Sequence, residues 1–178
     1  ASDFLVNLPV LKTHAQLKVS LGIKNLKGFL NISSRKKCHR ADYEKDLDYM
    51  VSRLTKLMPP SATVIDGLYT IERGPSIDGK PRKSDLVIAS SNPVAADMVG
   101  ARVLGHDPSE IPYLAMAAKE YGLSTDLSQV DLAELAPPSR NKLLQVSDSQ
   151  NCTCKCQQGC SRSFNKEPSL HGMKWINS

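Results

Sequence analysis

Leu86-Val87-Ile88-Ala89-Ser90-Ser91-Asn92-Pro93-Val94-Ala95-Ala96-Asp97 is the stretch that decides the fold class. Its first half is a short run rich in β-branched and apolar residues, the composition of a strand buried in a sheet. Its second half places Asn at a cap position and Pro at the first helical position, where the N–H that proline lacks would have no partner anyway. The helix opened there is expected to run to about Leu104 and to be closed by Gly105. A strand that passes straight into a helix is one half of an alternating α/β architecture, and the flanking sequence supplies the other halves.

Before it, Ala62 to Asp66 is a second β-branched run bounded by Gly67, and Tyr69 to Glu72 extends it after a kink. Ile77 to Ser84 reads as a polar loop around the turn signal Asp78-Gly79. Earlier still, Asp3 to Val10 reads as a buried strand ended by Leu8-Pro9, followed by the polar turn Lys12-Thr13-His14. From Gln16 to Leu30, Val19, Ile23, Leu26 and Leu30 fall at helical spacing, and Asn31 to Arg40 reads as a basic loop. Asp42 to Met58 has the clearest helical stripe, in Leu47, Met50, Val51, Leu54 and Leu57, with Asp42 as its cap and Pro59-Pro60 as its stop. Downstream, Ser109 is expected to cap a helix from Glu110 to Tyr121 closed by Gly122, and Leu143 to Val146 to form a last edge strand. The expected fold is therefore α/β, a mostly parallel sheet with flanking helices over residues 1–146, followed by a linker and a small Cys-rich C-terminal tail over 147–178. A chain that opens so close to a strand reads as the latter part of a larger domain.

The 178 residues carry 23 Lys and Arg against 18 Asp and Glu, a formal charge of +5. From Phe4 to Ala41 there is no acid, and the eight cations Lys12, Lys18, Lys24, Lys27, Arg35, Lys36, Lys37 and Arg40 lie there with His14 and His39. The remainder of the chain is at −3, so the basicity belongs to one segment, where a functional site is to be sought first. Nucleic acid is the obvious partner for such a segment, but Phe29 is its only aromatic between Leu5 and Asp42, and no recognised reader motif is present, so nucleic acid is an unlikely ligand. No run reaches the roughly 20 apolar residues that cross a bilayer, and no signal peptide is visible, so no membrane partner and a cytoplasmic location are expected.

Lys12, Thr13 and His14 at a strand end, followed by Lys24 and Asn25 on a helical pattern, would gather donors at the carboxyl edge of a sheet, where open α/β sheets bind ligands. The chemistry suited to them is a small anionic ligand, carboxylate or phosphate, with His14 available for proton transfer and Lys12 beside it. Asp66 at the end of its strand and Asp97 on the following helix are candidate supporting carboxylates, able to orient the imidazole or pair with a lysine; a structural role is the alternative for both. Glu72 and His39 are weaker candidates, while His106 and His171 read as loop residues.

Four of the five cysteines lie in Cys152-Thr153-Cys154-Lys155-Cys156-Gln157-Gln158-Gly159-Cys160. Thiolates this dense suit a soft metal centre, an iron–sulfur cluster or zinc, with disulfides or an incidental tail as alternatives. Only the last interval and none of the first two matches the usual ferredoxin spacing, and Ser161 stands where that run has Pro.

Several motifs occur together in order: Val6 to His14, Leu21 to Gly28, Val64-Ile65-Asp66-Gly67, Gly74-Pro75, Val87 to Asp97 and Leu104-Gly105-His106-Asp107-Pro108. Together they resemble the signature of domain of unknown function family 362, over about Ala1 to Leu123. The resemblance implies association with ferredoxin-like iron–sulfur modules, and so favours an iron–sulfur cluster over zinc at Cys152, Cys154, Cys156 and Cys160, with a redox partner protein. It implies no established substrate or catalytic residue. The expected function is thus a redox, iron–sulfur-associated protein with a basic anion-binding edge. Alternatives are a non-redox enzyme acting on a small carboxylate or phosphate compound with a structural zinc tail, and a basic nucleic-acid-binding module.

Overall fold

The computed structural model describes residues 3–39, 46–73, 79–135 and 142–147. Its strands are β1 (Leu5–Asn7), β2 (Val10–His14), β3 (Lys18–Ser20), β4 (Ser61–Glu72), β5 (Lys80–Ser90), β6 (Asp131–Leu135) and β7 (Lys142–Ser147). Its helices are α1 (Gly22–Asn25), α2 (Ile32–Lys37), α3 (Leu47–Ser52), α4 (Pro93–Val103) and α5 (Pro112–Glu120). The strands join one sheet in the order β3-β2-β4-β5-β7-β6, with β1 also lying along β4.

The sheet is mixed. β1 and β2 both run parallel to β4, and β5 runs parallel to β7, whereas β2–β3, β4–β5 and β6–β7 are antiparallel. Antiparallel pairing comes where the chain turns straight back on itself, and parallel pairing where a helical excursion intervenes. The β4–β5 ladder extends from Thr63↔Ser90 to Glu72↔Lys80, so the stretch expected as a loop from Ile77 to Ser84 is strand from Lys80 onward, because two long ribbons facing each other keep pairing until the turn. β7 lies between β5 and β6, so Leu143 to Val146 is interior and the unexpected strand β6 forms the edge.

α4 opens as its sequence demands. The Asn92 side chain accepts from the N–H groups of Val94 and Ala95 at 2.9 and 3.2 Å, and Pro93 takes the first position. Its residues Pro93 to Ala101 are buried, over Leu11, Leu21, Ile65 and Ile88. Gly105 follows with φ +82°, and Gly122 closes α5 with φ +66°, both in the left-handed region that glycine enters without strain.

Several expected boundaries move. The stretch from Gln16 to Leu30 is β3, α1 and a 3-10 turn rather than one helix. Leu17, Val19 and Leu21 are buried at every second position, and β3 pairs back on β2, so the period-two pattern prevails over the helical one. Lys12, Thr13 and His14 are therefore strand, not turn. The basic loop contains α2, capped where the Asn31 side-chain oxygen Oδ1 accepts from Ser34 N–H at 2.8 Å. α3 begins at Leu47, capped by Asp46 through Tyr49 N–H at 2.8 Å; Asp42 lies outside the described residues. Asp107, not Ser109, caps the turn after α4, and α5 starts at Pro112.

Candidate functional site

β2 sorts its residues by alternation. Val10 is exposed and Leu11 buried, so Lys12 and His14 share one side of the strand and Thr13 points to the other. The expected trio is thereby split. Thr13 lines a groove of about 670 Å³ with Thr70, Glu72, Arg82, Lys83, Ser84 and the end of α4, where its hydroxyl donates to the Ile71 carbonyl at 3.4 Å.

His14 is fixed by the turn that follows it. Its Nδ1 accepts from the backbone N–H groups of Gln16 and Leu17, each at 3.2 Å, which places the ring proton on Nε2 as a free donor. Burial first, then the charges of Lys24, Lys12, His39 and Lys27, push its pKa down to about 4. The imidazole is neutral at physiological pH.

Lys24 sits on α1, and its pKa is pushed down to about 8 by burial and by the charges of Lys27 and Lys12. Lys27, on the turn after α1, is held below the usual lysine range by burial and meets Nε2 of His39 through its amine. His39 in turn is lowered by burial and by Lys27 and Lys24. Five basic groups from β2, α1, the following turn and the end of α2 therefore sense one another. Among the described residues none of Lys12, Lys24 and Lys27 has a carboxylate partner, whereas Lys18 pairs with Glu110 at 3.5 Å. Crowded cations without a counter-charge form a positive focus, favourable to a ligand that brings negative charge.

What holds this cluster in place lies beneath it. Asp97 on α4 is fully buried, and its two oxygens accept from Gly22 N–H at 2.6 Å and Ile23 N–H at 3.0 Å, with the Tyr113 hydroxyl at 3.5 Å. These are the donors that open α1, so the carboxylate caps from another element the helix that carries Lys24. Burial pushes the Asp97 pKa up to about 7, and the hydrogen bonds from Ile23, Gly22 and Tyr113 pull it back in part. Gly22 is required by closeness: a Cβ there would stand 2.7 Å from Thr63 Cγ2 and 2.8 Å from Asp97 Oδ1. Asn7, buried on β1, donates to the Gly22 carbonyl at 2.9 Å and accepts from the Asn25 amide at 2.8 Å.

Of the expected site residues, Lys12, His14 and Lys24 come together, and Asn25 is next to them but tied to Asn7. Asp97 sits under the cluster and touches backbone rather than its open side. Asp66 is exposed at the β4 bulge, where it accepts from Leu68 N–H at 2.9 Å, and is paired in register with Val10 rather than with Lys12. Glu72 pairs with Arg82 across the hairpin at 3.3 Å. Lys27, part of the Leu21 to Gly28 motif, and His39, a weaker candidate in the sequence, join the cluster; the anchoring roles of Asn7 and Tyr113 left no signal in spacing. Cys152, Cys154, Cys156 and Cys160 lie outside the described residues. Among those described, no group of three or more His, Cys, Asp or Glu could hold a metal, and no helix is long and apolar enough to cross a membrane.

Comparison with known proteins adds a family and little chemistry. A family model described as "Domain of unknown function (DUF362)" matches residues 1–102. The chain is similar to the thylakoid-associated protein sll1697 of Synechocystis sp., 32% identical over 132 residues, which cover 72% of this chain and 40% of that protein. The chain thus spans well under half the length of that relative. No solved structure matches it.

Proposed function

Since the chain belongs to the DUF362 family, which carries no assigned reaction in its description, we propose its function from the site: it binds a small carboxylate or phosphate compound at the edge formed by β2, β3 and α1. The observation that supports this is the grouping of Lys12, Lys24 and Lys27 around the neutral imidazole of His14, without a carboxylate among the described residues. The lysines supply charge to the anion, and His14 Nε2–H supplies a directed hydrogen-bond donor. Asp97 and Asn7 act as positioning residues that fix α1. Thermal unfolding in sulfate, phosphate and citrate tests it. A midpoint that rises with anion concentration at constant ionic strength is expected, and a midpoint that follows ionic strength alone rejects the site.

A redox role rests separately on the cysteine tail. An iron–sulfur cluster on Cys152, Cys154, Cys156 and Cys160 would supply one-electron transfer toward a partner protein, with zinc as the alternative. Iron and sulfide analysis of anaerobically purified full chain separates the two. The cytoplasmic assignment belongs to the same proposal, and fractionation of cells checks it against the thylakoid association that the relative's name records for that protein.

A further inference from the structure

We infer that the excursion from Gly28 to Cys38 docks the protein on the surface of an anionic phospholipid bilayer, with Phe29 and Ile32 entering the headgroup layer and Arg35, Lys36 and Lys37 meeting the lipid phosphates. The excursion is tied at its base and held open along its length. Below it the Lys27 amine meets Nε2 of His39; Leu30 anchors it by packing partly against the core, and the buried Cys38 closes it. The Arg35 guanidinium donates to the carbonyls of Leu30 at 3.0 Å and Gly28 at 3.4 Å, and the Asn31 side chain caps α2. α2 buries none of its residues, so its side chains have no core to enter. Phe29 is 60% exposed and Ile32 69%, and the chain between them spans no more than roughly 10 Å. A loop already fixed in one shape loses little freedom when it docks.

Charge complementarity names the occupant. Arg35, Lys36 and Lys37 are exposed beside the two apolar side chains, and no carboxylate among the described residues pairs with them. The sequence around them holds no acid from Phe4 to Ala41. Protruding apolar side chains rimmed by cations match an anionic membrane, whose phosphates lie just above its hydrocarbon. A single-stranded nucleic acid would take up the charge but find one ring to stack on and no use for Ile32. A stable protein partner would need a wider apolar centre than two side chains provide. The lack of a spanning run bears on crossing a bilayer and not on lying against one. This surface is separate from the site of Lys12, His14 and Lys24, and stands or falls without it.

Cosedimentation of the full chain with vesicles tests it at near-physiological ionic strength. Binding is expected to mixed phosphatidylcholine and phosphatidylglycerol, and not to phosphatidylcholine alone. The double variant F29S/I32S should bind the mixed vesicles about tenfold more weakly. K36Q/K37Q should lose on the order of tenfold or more, since each cation near such a surface contributes about fivefold. Both pairs are exposed, so both variants should unfold at the parent's temperature; if the apolar pair does not, K36Q/K37Q alone decides. Citrate at constant ionic strength should leave vesicle binding unchanged, whereas release by citrate would put the lipid phosphate in the other anion site and overturn the inference. No sedimentation with the mixed vesicles, or loss in neither variant, also overturns it. Tighter binding to a single-stranded oligonucleotide than to the vesicles would assign the surface to nucleic acid instead.

Discussion

Two charged regions of this molecule lie on either side of α1 and obey opposite rules. Beneath it, the single carboxylate of Asp97 is fully buried and meets three donors, from Gly22, Ile23 and Tyr113. Above it, Lys12, Lys24 and Lys27 are gathered with no described carboxylate between them. A charge kept for structure is surrounded by its partners, whereas a charge kept for a ligand is left uncompensated and raises the energy of the unliganded fold. The pair teaches which of two ionisable groups in one neighbourhood to suspect of function.

The comparison breaks most visibly if Asp97 is removed. Asp97→Ala leaves two buried N–H donors and a phenol without their acceptor, and should cost about 3 kcal/mol or more in urea unfolding. A loss under about 1 kcal/mol would mean that α1 does not depend on its anchor. Gly22→Ala should cost about 2 kcal/mol by pressing a Cβ onto Thr63 and Asp97, since both neighbours are themselves packed. The opposite sign is expected above the helix. Lys24→Met should leave the unliganded protein as stable as the parent or more so at pH 7, while phosphate binding by calorimetry weakens about tenfold, a loss of roughly 1.4 kcal/mol. Destabilisation there would show that the lysine is held by a partner after all.

The last comparison concerns pH. His14 takes up its proton at about 4 in the folded chain and at about 6.5 when unfolded. Between those values the unfolded chain binds more protons, so this residue's share of stability is lost as pH falls through the window. Asp97, whose folded value is near 7 against an ordinary 3.8, works the other way over the same range. The parent's profile is therefore a sum of opposed slopes, and His14→Gln isolates one of them: the variant should lose less stability than the parent from pH 6.5 to 4.5. Parallel profiles for the two proteins would remove His14 from the charged cluster.

The legible parts of the fold are those fixed by local chemistry. Asn92-Pro93 dictates the start of α4, and Gly105 and Gly122 mark reversals that demand positive φ. The acid-free run leads directly to Lys12, His14 and Lys24. What spacing alone did not reveal depends on distant partners. Val19, Ile23, Leu26 and Leu30 match a helix on paper, but β3 exists because β2 offers it a hydrogen-bonding edge. Asp97 has the same appearance in the sequence whether it faces a ligand or caps a helix, and only the approach of Gly22 across 75 residues decides. Thr13 stands between two site residues and belongs to another surface, since β2 is a strand and not a turn.

The parallel docking of β1 and β2 onto β4 also has a consequence for how the chain reaches this state. β4 and β5 form a hairpin from neighbouring residues, whereas Asn7 meets Thr63 over a separation of 56 and Gly22 meets Asp97 over 75. Loop closure over such spans is slow and its entropy must be met before the contact gives anything back. The topology therefore predicts that the central hairpin and α4 form early and that the segment bearing Lys12, His14 and Lys24 settles on them late. On that order, the mutual repulsion of those lysines is postponed until the rest of the core is in place to bear it.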